Sequence, residues 1–129
     1  MITTRLLTAA AALATLATPM AAGVAHASGG TAVTRHGTCT GGGASYTLKA
    51  KHDNGLIEVE WQVDSNRPGQ TWTVRLRHNG DLFFSGHRTT QAPSGSFTVR
   101  RTTGNRAGGD VIRARSAHGQ TDCLAQLTV

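Results

Sequence analysis

This sequence predicts an all-β fold, an antiparallel β-sandwich of about seven strands, and three observations carry that expectation. Two Asn-Gly pairs, Asn54-Gly55 and Asn79-Gly80, each separate runs in which apolar and polar residues alternate. Alternation with period two marks a half-buried strand, and Asn-Gly suits a two-residue hairpin loop because both positions tolerate positive φ. Past the N-terminal segment, apolar residues never recur at helical spacing, and short apolar runs are punctuated by Gly-, Pro- and Asn-rich turns. Such a pattern fits an immunoglobulin-like or fibronectin-like arrangement first and a small barrel second.

Residues 1–27 read as a signal-peptide helix. Arg5 supplies a positive start, Leu6 to Ala17 is an apolar run short for a membrane span, and Ala25-His26-Ala27 is a small-x-small cleavage signature. The expected cut after Ala27 has no cysteine beside it for a lipid anchor, and nothing later is apolar enough to halt transfer. The chain is therefore expected to be secreted and extracellular, with no membrane span after cleavage. Residues 28–40, rich in Gly, Ser and Thr, are expected to be a flexible arm, and residues 41–129 a single β-sandwich domain.

The elements follow in order. Gly41-Gly42-Gly43 lacks the Lys-Ser or Lys-Thr of a phosphate-binding loop and reads as a lead-in to the first strand. Counting outward from Asn54-Gly55 pairs Tyr46 with Val63, Leu48 with Trp61 and Ala50 with Val59 on one face. The other face pairs Lys49 with Glu60 and Lys51 with Glu58. One register thus puts large apolar pairs inside and opposite charges outside. Ser65 to Gln70 is a turn by composition. Counting from Asn79-Gly80 pairs Leu76 with Phe83, Val74 with Ser85 and Trp72 with His87, and sets Arg77 beside Leu82 and Arg75 beside Phe84 on the other face. The return strand is apolar on both faces at Leu82, Phe83 and Phe84, and a bulge would explain that. Phe97 and Val99, Ile112 and Ala114, and Cys123 to Val129 mark the last three strands.

Cysteine and charge narrow the class. In an exported chain Cys39 and Cys123 form, most simply, one disulfide. The whole chain has 13 Lys+Arg against 7 Asp+Glu, and removal of residues 1–27 takes away only Arg5. That basic balance suits polyanions or simple solubility. Among the histidines no H-x-H or H-E-x-x-H spacing occurs, so no metal site and no cofactor is expected. No G-x-S-x-G elbow is present, and Glu58 and Glu60 face lysines that keep them ionised, so no catalytic residues are assigned and the chain is not read as an enzyme.

The segments IEVEWQVDSNRPGQTWTVRLRHNG at residues 57–80 and APSGSFTVRR at residues 92–101, with an export signal and a cysteine near each end, resemble small secreted proteins of actinobacteria. The resemblance implies secretion and an all-β domain, and carries over no catalytic motif.

If strands order as in an immunoglobulin-like sandwich, one sheet exposes Lys49, Lys51, Glu58, Glu60, Thr98 and Arg100, whose charges largely cancel. The other exposes Arg75, Arg77, Arg113 and Arg115 with Leu82 and Phe84 beside them and no neutralising carboxylate. Arginine's planar donor fork suits phosphate and carboxylate, although outward arginines also serve as solvated edge protection. The expectation is a non-catalytic, monomeric binding module whose partner is an anionic cell-wall polymer or an extracellular protein. The alternative is an inhibitor of a secreted enzyme that presents the loop at residues 65–70 or 90–96.

Overall fold

The computed structural model describes residues 30–129, so the signal-peptide expectation for residues 1–27 lies outside the described residues. Eight strands follow one another: β1 (Val33–Thr38), β2 (Ser45–Asp53), β3 (Leu56–Asp64), β4 (Thr71–His78), β5 (Asp81–Thr89), β6 (Ser96–Gly104), β7 (Val111–His118) and β8 (Thr121–Thr128). They build two four-stranded sheets, in the orders β1-β2-β3-β6 and β5-β4-β7-β8, and every pairing is antiparallel. Their inward side chains form the core of a β-sandwich. Among the described residues no helix is long and apolar enough to cross a membrane.

The β2–β3 hairpin keeps the register counted from Asn54-Gly55 along its whole length, from Asp53 opposite Leu56 to Ser45 opposite Asp64. Asn54 and Gly55 both have positive φ, 50° and 77°, as a two-residue loop of this twist requires. Leu48, Ala50, Val59, Trp61 and Val63 are buried, while Lys51 and Glu58 meet at 3.1 Å on the outer face. β6 adds to β3 with Arg100 opposite Glu60, and the pair closes to 3.0 Å.

One expectation about the first sheet is corrected. Residues 33–38 are not part of a flexible arm: they form β1, paired residue by residue with Val33 opposite Ala50 and Thr38 opposite Ser45. With β1 the sandwich of about seven expected strands has eight. β1 is held by backbone pairing at an edge, so its sequence needs little apolar content. A Cβ at Gly37 would overlap the Tyr46 ring, so glycine lets that ring lie across the added strand.

The second hairpin departs from simple counting. Asn79 and Gly80 have positive φ, 48° and 88°, and His78 still faces Asp81 and Arg77 still faces Leu82. Between Leu76 and Arg77 the ladder slips by one residue. Leu76 then faces Phe84 rather than Phe83, Arg75 faces Ser85, and Trp72 faces Arg88 rather than His87. A β-bulge of this kind fits two residues of one strand against one of its partner and resolves the Leu82-Phe83-Phe84 run.

The two sheets are tied together covalently and by a hydrogen bond. Cys39, just after β1, is bonded to Cys123 on β8, closing a separation of 84 residues. A loop that long adds about 4–5 kcal/mol of stability in the chain-entropy account. Deeper in, the buried Trp61 of β3 donates its indole N–H to the hydroxyl of the buried Ser116 of β7 at 2.7 Å. An indole donor removed from water needs such a partner. Replacing Ser116 by Ala is expected to lower unfolding free energy by about 1–3 kcal/mol in chemical denaturation. A change below about 0.5 kcal/mol would show that the bond does not hold the sheets together.

Candidate functional site

The outer face of the β5-β4-β7-β8 sheet brings the four arginines together. Along β4 burial alternates strictly: Trp72, Val74, Leu76 and His78 point inward, which turns Arg75 and Arg77 outward. β7 pairs with β4 so that Arg115 stands opposite Arg75 and Arg113 opposite Arg77. Two like-charged cross-strand pairs therefore lie side by side, an arrangement that costs rather than adds stability. Leu82, opposite Arg77, and Leu124, opposite Arg115, flank the cluster, at 48% and 44% exposure.

Two expectations about this face need correction. Phe84 does not belong to it, because the bulge sets Phe84 opposite the inward Leu76. The ring instead packs against the core at the sheet edge, with the guanidinium groups of Arg101 and Arg88 at 4.5 and 5.0 Å from its centroid. The face also has a carboxylate. Asp122 on β8 receives Arg115 in a two-pronged contact, Nε to Oδ1 at 3.1 Å and Nη2 to Oδ2 at 2.6 Å. Those hydrogen bonds, and then the carboxylate charge, raise the Arg115 pKa further above an already high value, against a small opposing desolvation. Arg115 thus stays charged at any physiological pH, but half its donor fork is occupied. Arg77 is half-buried and donates to the Gly80 carbonyl at 3.3 Å. Among the described residues Arg75 and Arg113 meet no carboxylate.

The opposite sheet shows the contrast. A cleft of about 530 Å³ runs over Lys49, Lys51, Glu58, Glu60, Arg100 and Thr102. Two of its four cations are matched, Lys51 to Glu58 and Arg100 to Glu60, while Lys49 stands opposite Glu60 in the ladder and Arg101 lies over the Phe84 ring. Interleaved carboxylates of this kind weaken the pull of the surface on a polyanion.

One cluster escaped sequence reasoning. His78 is fully buried, with Nε2 2.6 Å from Asp110 Oδ1 and Nδ1 3.0 Å from the Thr103 hydroxyl. Hydroxyl, imidazole and carboxylate in this order match the relay of an acyl-transfer site. Here the imidazole and the carboxylate, at 0% and 1% exposure, are sealed inside the far end of the sandwich. Their hydrogen bonds tie the end of β4 to β6 and to the loop before β7, where Asp110 also accepts from the Arg106 amide. The signal was present: His78 falls at an inward position of the β4 alternation, and an inward histidine needs partners. His52 stands on β2 opposite Ile57, outside this cluster.

Comparison with known protein families, with curated proteins and with solved structures returns no match, so the functional reading rests on the residues themselves.

Replacing His78 by Phe leaves the Asp110 carboxylate buried with little to satisfy it. The expected loss is about 3–5 kcal/mol in chemical denaturation, with a substantial part regained when Asp110→Leu is added. A single variant within about 1 kcal/mol of the parent would contradict the role assigned to this cluster.

Proposed function

We propose that this protein is a secreted, non-catalytic binding module that meets an anionic polymer with the outer face of β4 and β7. The observation that carries the reading is the double arginine ladder, Arg75 opposite Arg115 and Arg77 opposite Arg113. Facing cations repel, and a polyanion laid along the ladder relieves that repulsion while releasing its own counterions. Arg75 and Arg113 lack carboxylate partners among the described residues, so their donor forks suit phosphate or carboxylate groups. Leu82 and Leu124 add apolar borders that a purely solvated surface does not need.

Secretion is supported by the disulfide, which persists best in an oxidising compartment, and by the leader-like composition of residues 1–27. We read the sandwich itself as immunoglobulin-like or fibronectin-like. β2, β3 and β6 stack on β5, β4, β7 and β8, and β1 is an added edge strand.

The test is chromatography on immobilised polyphosphate over a salt gradient. Retention is expected to fall steeply with salt, and Arg75→Ser/Arg77→Ser/Arg113→Ser is expected to abolish it. The matched control, Lys49→Ser/Lys51→Ser/Arg100→Ser, removes the same charge from the other sheet and is expected to elute much later than the first triple variant. Equal elution of the two would show that net charge alone governs retention and would overturn the site. The inhibitor reading rests on the loops at residues 65–70 and 90–96, which are pinned to each other by Ser65 N to Gly95 O at 3.0 Å and Gly69 N to Thr90 O at 2.8 Å. It requires instead a salt-tolerant complex with one protein.

A further inference from the structure

A second cleft, of about 270 Å³, lies at the disulfide end of the sandwich, away from the arginine ladder. Its walls come from the Gly41–Ala44 turn, the loop between β3 and β4, the first residues of β4 and the β7–β8 hairpin. Only three described residues carry a buried side-chain polar atom with no hydrogen-bond partner: Asp53, Gln70 and Trp72. Two of them, Gln70 and Trp72, line this one cleft. Trp72 is 1% exposed, so its indole N–H has no alternative in open solvent. A buried donor without a partner costs about 1–3 kcal/mol, and a native fold that keeps one has a use for it.

The rest of the lining sets the chemistry of an occupant. Arg67 contributes a cation, and no carboxylate side chain lines the cleft. The His118 ring lies 5.4 Å from that of Trp72, and its Nδ1 is 2.7 Å from the Thr71 carbonyl. A carbonyl can only accept, so Nδ1 carries the proton, and in the neutral ring Nε2 remains an acceptor. The residues that line the cleft thus carry donors at Trp72 and Arg67 and acceptors at Gln70 Oε1 and His118 Nε2. A Cβ added to Gly42 or Gly43 would meet nothing within 4 Å, so that wall leaves room.

The geometry points to a site for the C-terminal end of a peptide, whose carboxylate takes the Trp72 and Arg67 donors and whose last two amide N–H groups donate to the Gln70 and His118 acceptors. A fully ionised polyanion lacks the N–H that these acceptors require. A free amino acid would bring an ammonium group with no carboxylate to meet it. The frame is firm: the Thr90 hydroxyl donates to the Arg67 carbonyl at 2.5 Å and accepts the Gln70 N–H at 2.9 Å. The disulfide beside the Gly41–Ala44 turn fixes the opposite wall.

Nitrogen-15 spectra of the labelled protein supply the test, because the two indole N–H signals differ in situation. Trp61 is bonded to Ser116, whereas Trp72 has no partner. Titration with N-acetyl-glycylglycine as the free acid is expected to shift the Trp72 indole signal and slow its exchange with water, leaving that of Trp61 in place. The same peptide as its C-terminal amide is expected to bind at least about tenfold more weakly, and Arg67→Gln to weaken the acid by about tenfold. Arg67 is exposed and its framework bonds use its backbone, so this substitution leaves the fold intact. A Trp72 signal unmoved at about 10 mM acid, or acid and amide binding alike, overturns the proposal. Neither outcome bears on the polyanion face, which shares no residue with this cleft.

Discussion

Register is the constraint on which the rest of this molecule depends. In a strand successive side chains point to opposite faces, so a shift of one residue exchanges everything buried for everything exposed. The β2–β3 hairpin has no shift, and its apolar and charged sets separate cleanly over nine residues of each strand. The β4–β5 hairpin has one, between Leu76 and Arg77, and that single step moves Phe84 from the arginine face to the core edge. Because β7 pairs with β4 and not with β5, the step leaves the Arg75–Arg115 and Arg77–Arg113 pairs untouched. The ladder of cations is a property of the central strands, and the bulge edits only its border.

The two sheets share a core but differ in how they treat charge. In β1-β2-β3-β6 the glutamates of β3 meet cations from both neighbouring strands, Glu58 with Lys51 of β2 and Glu60 with Arg100 of β6. In β5-β4-β7-β8 the only carboxylate on the central face is Asp122 among the described residues, and it engages Arg115 alone. Between the sheets, the Trp61–Ser116 bond and the Cys39–Cys123 bridge hold the packing, so neither outer face needs its charges for stability. Surface ion pairs contribute little in any case. An unbalanced face on a stable scaffold is therefore free to serve recognition. The end with Asn54-Gly55 and Asn79-Gly80 buries His78 bonded to Asp110 and leaves one unpartnered atom, on Asp53, while the disulfide end leaves Trp72 and Gln70 without partners.

Much of this was legible in the chain. Where apolar and charged periodicities agree, as from Tyr46 to Val63, register, faces and ion pairs follow from counting. The four arginines could be grouped because strand order and alternation together place them on one face. The failures have physical causes. Leu82, Phe83 and Phe84 are apolar in succession, so either register buries one aromatic ring and the pattern carries no preference. Val33 to Thr38 holds a single large apolar residue, and its pairing rests on backbone hydrogen bonds that leave no mark on composition. The Asp122 contact is diagonal across two strands, and the cleft at Trp72 is assembled from three separate turns and the start of β4. Neither is visible before the fold is known.

Chemical-shift mapping of the backbone amides during titration with short polyphosphate tests the central claim most directly, because it locates contact without altering any charge. The expected result is a set of salt-sensitive shifts on Arg75, Arg77, Arg113 and their neighbours in β4 and β7, with β2 and β3 quiet. Shifts centred on Lys49, Lys51 and Arg100, or spread evenly over every exposed cation, would contradict the account.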